Sequence, residues 1–525
     1  MTTCAIFQGA FVSKAVRVKP KYLLGATVLA ACIYAGCLIA QATTVVEGRV
    51  VEAGSNMPIE GARVSTSSGT AFALSNGEGR FVLSGVSSGR MRIFPQKNGL
   101  VYSRPNSLYP REPGVWIEVA SGDRLQNLEL RMVKEAAVSG RIVDSLGQSV
   151  PTAAVTLLVR SFDETGRPTL ARAPGTPYNF AMVRTNDKGE FRLSGLQPGD
   201  YYLRVDPGLG PTPGALYPGV RDESRAAPIV LKGGEEFQVN TIALNREKTA
   251  DLHLRFKDAA ELPRTRLVTI APDRSLVFPA TRDELVIPGV RVGDYRLLVS
   301  WVFSPSEIIY GFAELHVAGT DISHALTTSQ AVRISTQIIL EDQAGKRTLQ
   351  NRVRCSLQAE LPLISANCSG GVIPGRYSLE LQDVPSDAYV VSAEASGQDV
   401  LNAGLEVKGD ISMNVLLRTP GGTLEGTVVN SKNEKVADAV VAIIPNPAGA
   451  SSRAYRSTIS DVNGRFRIQG IPPGQYAAFA WPDLPENAYR NAAFMKDFQD
   501  HGESVQVANG QKATRELKLL QVITN

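Results

Sequence analysis

From about residue 45 onward, apolar and polar side chains alternate in short runs, each broken by Gly, Pro, Asn or Asp after some 8–12 residues. This period-2 pattern, rich in β-branched and aromatic positions, predicts antiparallel β-strands joined by tight turns. Three openings share one design: "VVEGRVVEAGSNMPIEGARVST" (45–66), "AVSGRIVDSLGQSVPTAAVTLLV" (137–159) and "TLEGTVVNSKNEKVADAVVAII" (423–444). In each, a strand alternates around a central glycine, a polar turn follows, and a second strand begins near Ala and Val. Alternating pairs also close the units, at 115–133, 228–244, 404–418 and 504–520, with a weaker version at 313–326. One stretch alone suggests a helix, the short "PENAYRNAAFMKDFQ" (485–499).

A turn preceding a tyrosine or its substitute sets the repeat. It reads "SSGRMRI", "QPGDYYLRV", "RVGDYRLLV", "IPGRYSLEL" and "PPGQYAAFA", with glycines at Gly89, Gly199, Gly293, Gly375 and Gly474. Units of this length, with about seven strands each, match β-sandwiches. The predicted architecture is all-β: a tandem array of about five antiparallel sandwiches at 43–134, 135–247, 248–327, 328–420 and 421–525, following an N-terminal segment at 1–42. We number these units one to five; the third is the most degenerate.

The longer phrase around that turn, "DVNGRFRIQGIPPGQYAAFAW" (461–481), echoes "DKGEFRLSGLQPGDYYLRV" (187–205). The succession V-x-G-x-V, G-A-x-V, D-x-x-G-x-F and P-G-x-Y resembles the carboxypeptidase regulatory-like domain. Unit two carries it as Gly140, Asp187, Gly189, Phe191, Gly199 and Tyr201. Unit five carries it as Gly426, Asp461, Gly464, Phe466, Gly474 and Tyr476. Unit one keeps Gly48, Gly61, Ala62, Gly79 and Phe81 but has Met91 at the tyrosine position. The resemblance implies a transthyretin-like sandwich, Ig-like in outline, found as tandem modules in exported bacterial proteins. It implies no catalysis, because the family takes its name from a non-catalytic domain.

Composition bears on location more than on chemistry. The first 42 residues hold Lys14, Arg17, Lys19 and Lys21 and no acid; removing these four from the 55 basic residues leaves 51, equal to the 51 acids. A neutral body offers no electrostatic footprint for nucleic acid. The basic start, the apolar run 22–40 and Ala40-Gln41-Ala42 have the form of an export signal cleaved after Ala42. Two other fates fit the same residues: retention as an N-terminal anchor, since the run is about long enough to span a bilayer, or lipidation at Cys37. Each exports the remainder to the periplasm, the outer membrane or the exterior, and each limits membrane contact to this segment.

Beyond that segment only Cys355 and Cys368 remain. In an oxidising compartment the two form a candidate disulfide, the alternative being two buried thiols. No catalytic residue, metal ligand or cofactor is expected. Gly85-Val86-Ser87-Ser88-Gly89 matches G-x-S-x-G but occupies the turn of the repeat, where a nucleophile elbow does not belong. His253, His316, His324 and His501 form no metal motif. "NDKG" (186–189) and "DVNG" (461–464) have too few carboxylates for a calcium loop and read as turns. Phe191, Phe466, Tyr201 and Tyr476 read as core, the tyrosines tying their hydroxyls to nearby backbone.

The candidate ligand-binding aromatics are Trp481, Tyr489 and Trp116: the tryptophan faces can stack a sugar, and Trp481 with Tyr489 in the insertion after it falls outside the shared pattern. Loops 161–181 and 206–227 join them on the same ground. The leading expectation is a non-enzymatic envelope spacer, adhesion or interaction protein, partnered by an envelope protein or polysaccharide. The alternative is carbohydrate binding through loop aromatics on a starch-binding-like fold.

Overall fold

A computed structural model describes residues 44–521, except 70, 105–106, 108, 175–180, 211, 257–264, 271–273, 280–283, 350–351, 360–364 and 450–451. The N-terminal segment expected to direct export, with Ala42 and Cys37, lies outside these residues. The described chain is overwhelmingly β, and its buried apolar side chains gather into five principal cores, spanning Val46–Met132, Ala136–Leu244, Ala250–Leu326, Ile334–Leu417 and Leu424–Leu517.

Each core is sandwiched between two sheets. In unit five one sheet orders Arg465–Ile471, Gly422–Val429 and Lys512–Lys518; the other orders Arg456–Ile459, Val440–Pro445, Gly474–Trp481 and Glu503–Val507. Unit one repeats this arrangement with Arg80–Ser84, Val45–Glu52 and Arg124–Lys134 opposite Phe72–Leu74, Arg63–Thr66, Gly89–Gln96 and Val115–Val119. The alternating pattern is met strand by strand, as in Arg80–Ser84, where Phe81 and Leu83 are buried between exposed neighbours.

One feature of the sheets is not antiparallel. In every unit the first strand lies parallel to the last, as Val45–Glu52 does to Arg124–Lys134 and Gly422–Val429 to Lys512–Lys518. Parallel neighbours run in the same direction, so the chain enters a sandwich at one pole and leaves at the other. That geometry suits tandem connection.

The repeated phrase sits at equivalent places. Asn76, Asn186 and Asp461 each accept two backbone N–H bonds through Oδ1, from residues two and four further on. Gly79, Gly189 and Gly464 follow at φ of +73°, +75° and +70°, where a side chain would be strained. In unit two the capping residue is therefore Asn186 and not Asp187, a shift of one position from the sequence alignment. An amide or a carboxylate oxygen caps such a turn equally well. Tyr201, Tyr377 and Tyr476 then donate their hydroxyls to the carbonyls of Gln197 (2.9 Å), Ile373 (2.7 Å) and Pro472 (2.8 Å), four residues earlier. Burial raises all three phenol pKa values, that of Tyr377 to about 12.

Polar contacts tie successive units together. Arg291 donates to the carbonyls of Gly208, Gly210 and Thr212 across the second junction. Gly371 N–H reaches Pro305 O at 2.8 Å across the third, and Arg453 reaches Leu379 O at 2.7 Å across the fourth. Unit five also folds back onto units one and two.

Candidate functional site

The return contact is built by the segment that follows Trp481. The stretch expected as a helix at 485–499 instead forms a 3-10 turn at Ala488–Arg490, one α-turn at Ala492–Met495 and another 3-10 turn at Gln499–His501. Asn487, at φ +59°, and Asn491, which caps Phe494 N–H at 2.7 Å, divide it. Its apolar side chains cover the outer face of the Gly474–Trp481 sheet in a separate core that includes Tyr455, Phe479, Trp481, Leu484, Tyr489 and Phe498.

Asp483 anchors this segment to unit one. Its carboxylate is 8% exposed and accepts from Arg111 (2.9 Å), Arg104 (3.5 Å), Ser107 Oγ (2.9 Å) and Tyr109 N–H (3.1 Å). Arg111 also donates to Leu484 O at 2.6 Å, and burial lowers its pKa to about 10 against the opposing pull of Asp483. Unit two contributes backbone pairing: Phe162 N–H donates to Glu486 O (2.9 Å) and Asn487 Nδ2 to Phe162 O (3.2 Å). Asn491 Nδ2 reaches Gly166 O at 2.8 Å; a side chain at Gly166 would meet Arg490 O at 2.4 Å. The apex of the "DVNG" turn docks as well, with Val462 N–H donating to Trp116 O at 3.0 Å.

Between these contacts lies a cleft of 790 Å³ walled by units one, two and five, with Ser386 of unit four at its edge. Its charge is one-sided: eight arginines line it against Glu112, Asp438 and Glu486. Trp116 carries two of the arginines, with the guanidinium of Arg90 4.9 Å and that of Arg92 5.0 Å from its ring centre. Arg90 also donates to Ile459 O, and Arg92 pairs with Glu112. Burial pulls the pKa values of Arg90 and Arg456 down. It pushes Asp438 up to about 6, although Arg104 and Arg111 act in the other direction. Arg160 donates to Tyr202 Oη at 3.1 Å.

Such a lining can hold anions. None of the four histidines borders the cleft, and the Tyr489 hydroxyl is bonded to Ser457 Oγ (3.0 Å) and Asn487 Oδ1 (3.2 Å). Among the described residues no group of three His, Cys, Asp or Glu could hold a metal ion. No described helix is long and apolar enough to cross a membrane.

The three candidate aromatics separate here. Trp116 and Tyr489, from different units, meet at the cleft. Trp481 does not reach it. At 0% exposure it stacks on Phe479 (5.5 Å) and meets Phe498 edge-on (5.8 Å), so it is a core residue and no ligand platform. The apolar segment that made it look distinctive is what covers it. Tyr489, 6% exposed, shows the cleft little of its ring.

Loop 161–181 is in part a hairpin of Ala154–Phe162 with Pro168–Arg172, used to dock unit five; 206–227 packs as the short strand Ala215–Leu216 and a 3-10 turn at Glu223–Arg225. Gly85–Gly89 joins two strands with no helix after it. Cys355 and Cys368 are joined by a disulfide across 13 residues. The arginines and Asp483 were not singled out in the sequence. A partial signal was there, because Arg90 and Arg92 occupy the polar positions of "SSGRMRIF", opposite Met91 and Ile93.

Comparison with known proteins bears on unit five. No curated protein matches the chain. Among solved structures, a streptococcal ancillary pilin aligns at 10% identity over 54% of this chain and 99% of its own, with a TM-score of 0.21. BcpA, the major pilin subunit of Bacillus cereus, aligns at 13% over 73% and 99%, with a TM-score of 0.16. The Bacillus anthracis TIE protein aligns at 10% over 81% and 75%, with a TM-score of 0.15. The family model that matches is that of the carboxypeptidase regulatory-like domain, over residues 423–520, the two sheets and the docking segment of unit five together.

Proposed function

We propose that this is an exported, non-enzymatic protein whose linked sandwiches serve as a structural spacer, adhesion or interaction module at the bacterial cell envelope. The observation that carries this reading is where the polar residues go. The repeated Asn/Asp, Gly and Tyr are spent on turns within units, and Asp483 with its arginines is spent on joining units. Export draws support from the basic and apolar N-terminal sequence and from the disulfide, which persists in oxidising compartments. Fractionation of cells with sequencing of the mature N-terminus tests it. An envelope fraction beginning at Thr43, acylated at Cys37 or retaining Met1 supports export by one of its three routes; a cytosolic protein overturns it.

Carbohydrate binding is the second reading, favoured by Trp116 at a walled cleft. Retention on a glycan array that is lost in Trp116→Ala supports it, and failure to retain any glycan removes it.

A further inference from the structure

We propose that the cleft between units one, two and five binds a multiply charged oxyanion ligand, the carboxylate or phosphate groups of an anionic envelope glycan. Four of its guanidiniums, those of Arg160, Arg172, Arg456 and Arg467, make no ion pair with a carboxylate among the described residues; Arg160 donates to Tyr202 Oη, and Arg456 to the carbonyls of Arg453 and Tyr455. Three of them line the same 790 Å³ space with exposed side chains, Arg160 and Arg172 from the paired strands of one hairpin in unit two and Arg467 from unit five. Guanidinium is the group best suited to forked recognition of carboxylate and phosphate. A cleft of this volume is large enough for an oligomeric small ligand.

Two further observations point the same way. Arg92 Nε–H is buried and finds no acceptor in the protein. Buried donors are nearly always satisfied, and an oxyanion in the cleft would supply the missing acceptor. Trp116, moreover, has two guanidiniums within 5.0 Å of its ring centre and so holds positive charge beside the cleft. Residues 43–525, the cleft included, balance 51 basic against 51 acidic side chains, so the positive charge gathered in the cleft is local and not the edge of a generally basic, nucleic-acid-binding body. A compact anion is therefore favoured over a long one.

Assigning the ligand to an envelope glycan rests on the export reading, whereas recognition of the charge does not. Titration calorimetry of the purified protein with trigalacturonate, inorganic tripolyphosphate, neutral maltotriose and a trinucleotide tests the two separately from fractionation. Binding of trigalacturonate or tripolyphosphate is expected, weakening with salt; the tighter of the two identifies carboxylate or phosphate as the source. The variant Arg160→Gln/Arg172→Gln/Arg467→Gln changes only exposed side chains and should lose at least about tenfold in affinity with an unchanged melting temperature. The single variant Arg467→Gln, should the triple one fold poorly, is expected to lose about threefold. Failure of both anions to bind, undiminished affinity in the variants, equal binding of maltotriose, or tighter binding of the trinucleotide would each overturn the proposal.

Discussion

The ring of Phe466 lies across the antiparallel pair from Gly426 and covers it: a Cβ placed on Gly426 would stand 3.1 Å from the ring edge and 1.6 Å from Arg515 O on the parallel strand beside it. Unit one repeats the relationship with Gly48, Phe81 and Leu128 O, at 2.7 and 2.0 Å. Gly140 faces Phe191 in the same way, but there the closing strand is split into Glu236–Gln238 and Ile242–Leu244, and no carbonyl stands close. Its nearest neighbours are side-chain atoms at 3.0 Å, which can shift. Alanine should therefore cost most at Gly426, about 3 kcal/mol or more, somewhat less at Gly48, and about 1 kcal/mol at Gly140. Chemical denaturation of the three variants gives the order, and an equal cost at all three would contradict it.

The tyrosine hydroxyls make a second test. Tyr476→Phe and Tyr201→Phe leave the packed rings in place and remove a single bond to Pro472 or Gln197, orphaning a carbonyl. Each should lower stability by about 1 kcal/mol. Thermal melts read the effect; no change in either variant would show that the corner is ornamental.

Asp483 holds together what the chain separates by more than 370 residues. Replacing it with Ala leaves Arg104 and Arg111 without their carboxylate in a buried joint, at an expected cost of about 3–5 kcal/mol to that joint. Asp483→Asn keeps an acceptor for Tyr109 N–H and should fall between. Calorimetry should show unit one melting apart from unit five in the Ala variant, where the native chain melts them together.

Asp438 gives a pH dependence of known sign. Burial raises its folded pKa from 3.8 to about 6, so the fold disfavours its charged form. Stability is unaffected below about pH 4, where the group is protonated folded or unfolded, and falls as pH rises through 6. Asp438→Asn, a residue type that accepts the local φ of +58°, should be more stable than the native chain by on the order of 2 kcal/mol at pH 7.5 and no more stable at pH 4. Paired melts at the two pH values check this, and a benefit that grew on acidification would contradict it.

Much of each sandwich was legible in the sequence, because strand alternation, the capping Asn or Asp, the glycine at positive φ and the cornering tyrosine are all local devices. The phrase around Asp461 could be read as punctuation for that reason. What stayed hidden depends on residues far apart. The parallel pairing of first and last strands brings together Gly426 and Arg515, and no local period encodes that. Trp481 looked available because it fell outside the repeat; its burial is decided by Phe479, Phe494 and Phe498, which could equally have pointed outward. The cleft draws its arginines from three units, four from unit one and two each from units two and five, scattered singly or in pairs along strands and loops.

Unit five is clasped to units one and two, and two amides report the clasp directly. Val462 N–H donates to Trp116 O, and Phe162 N–H to Glu486 O, each bond crossing between units. Hydrogen exchange should find both amides protected in the native chain, and Val462 exposed to exchange in Asp483→Ala while the core of unit five stays protected. If both exchange in the native chain as fast as open loop amides, the units are strung out and the clasp, with the cleft it encloses, does not form.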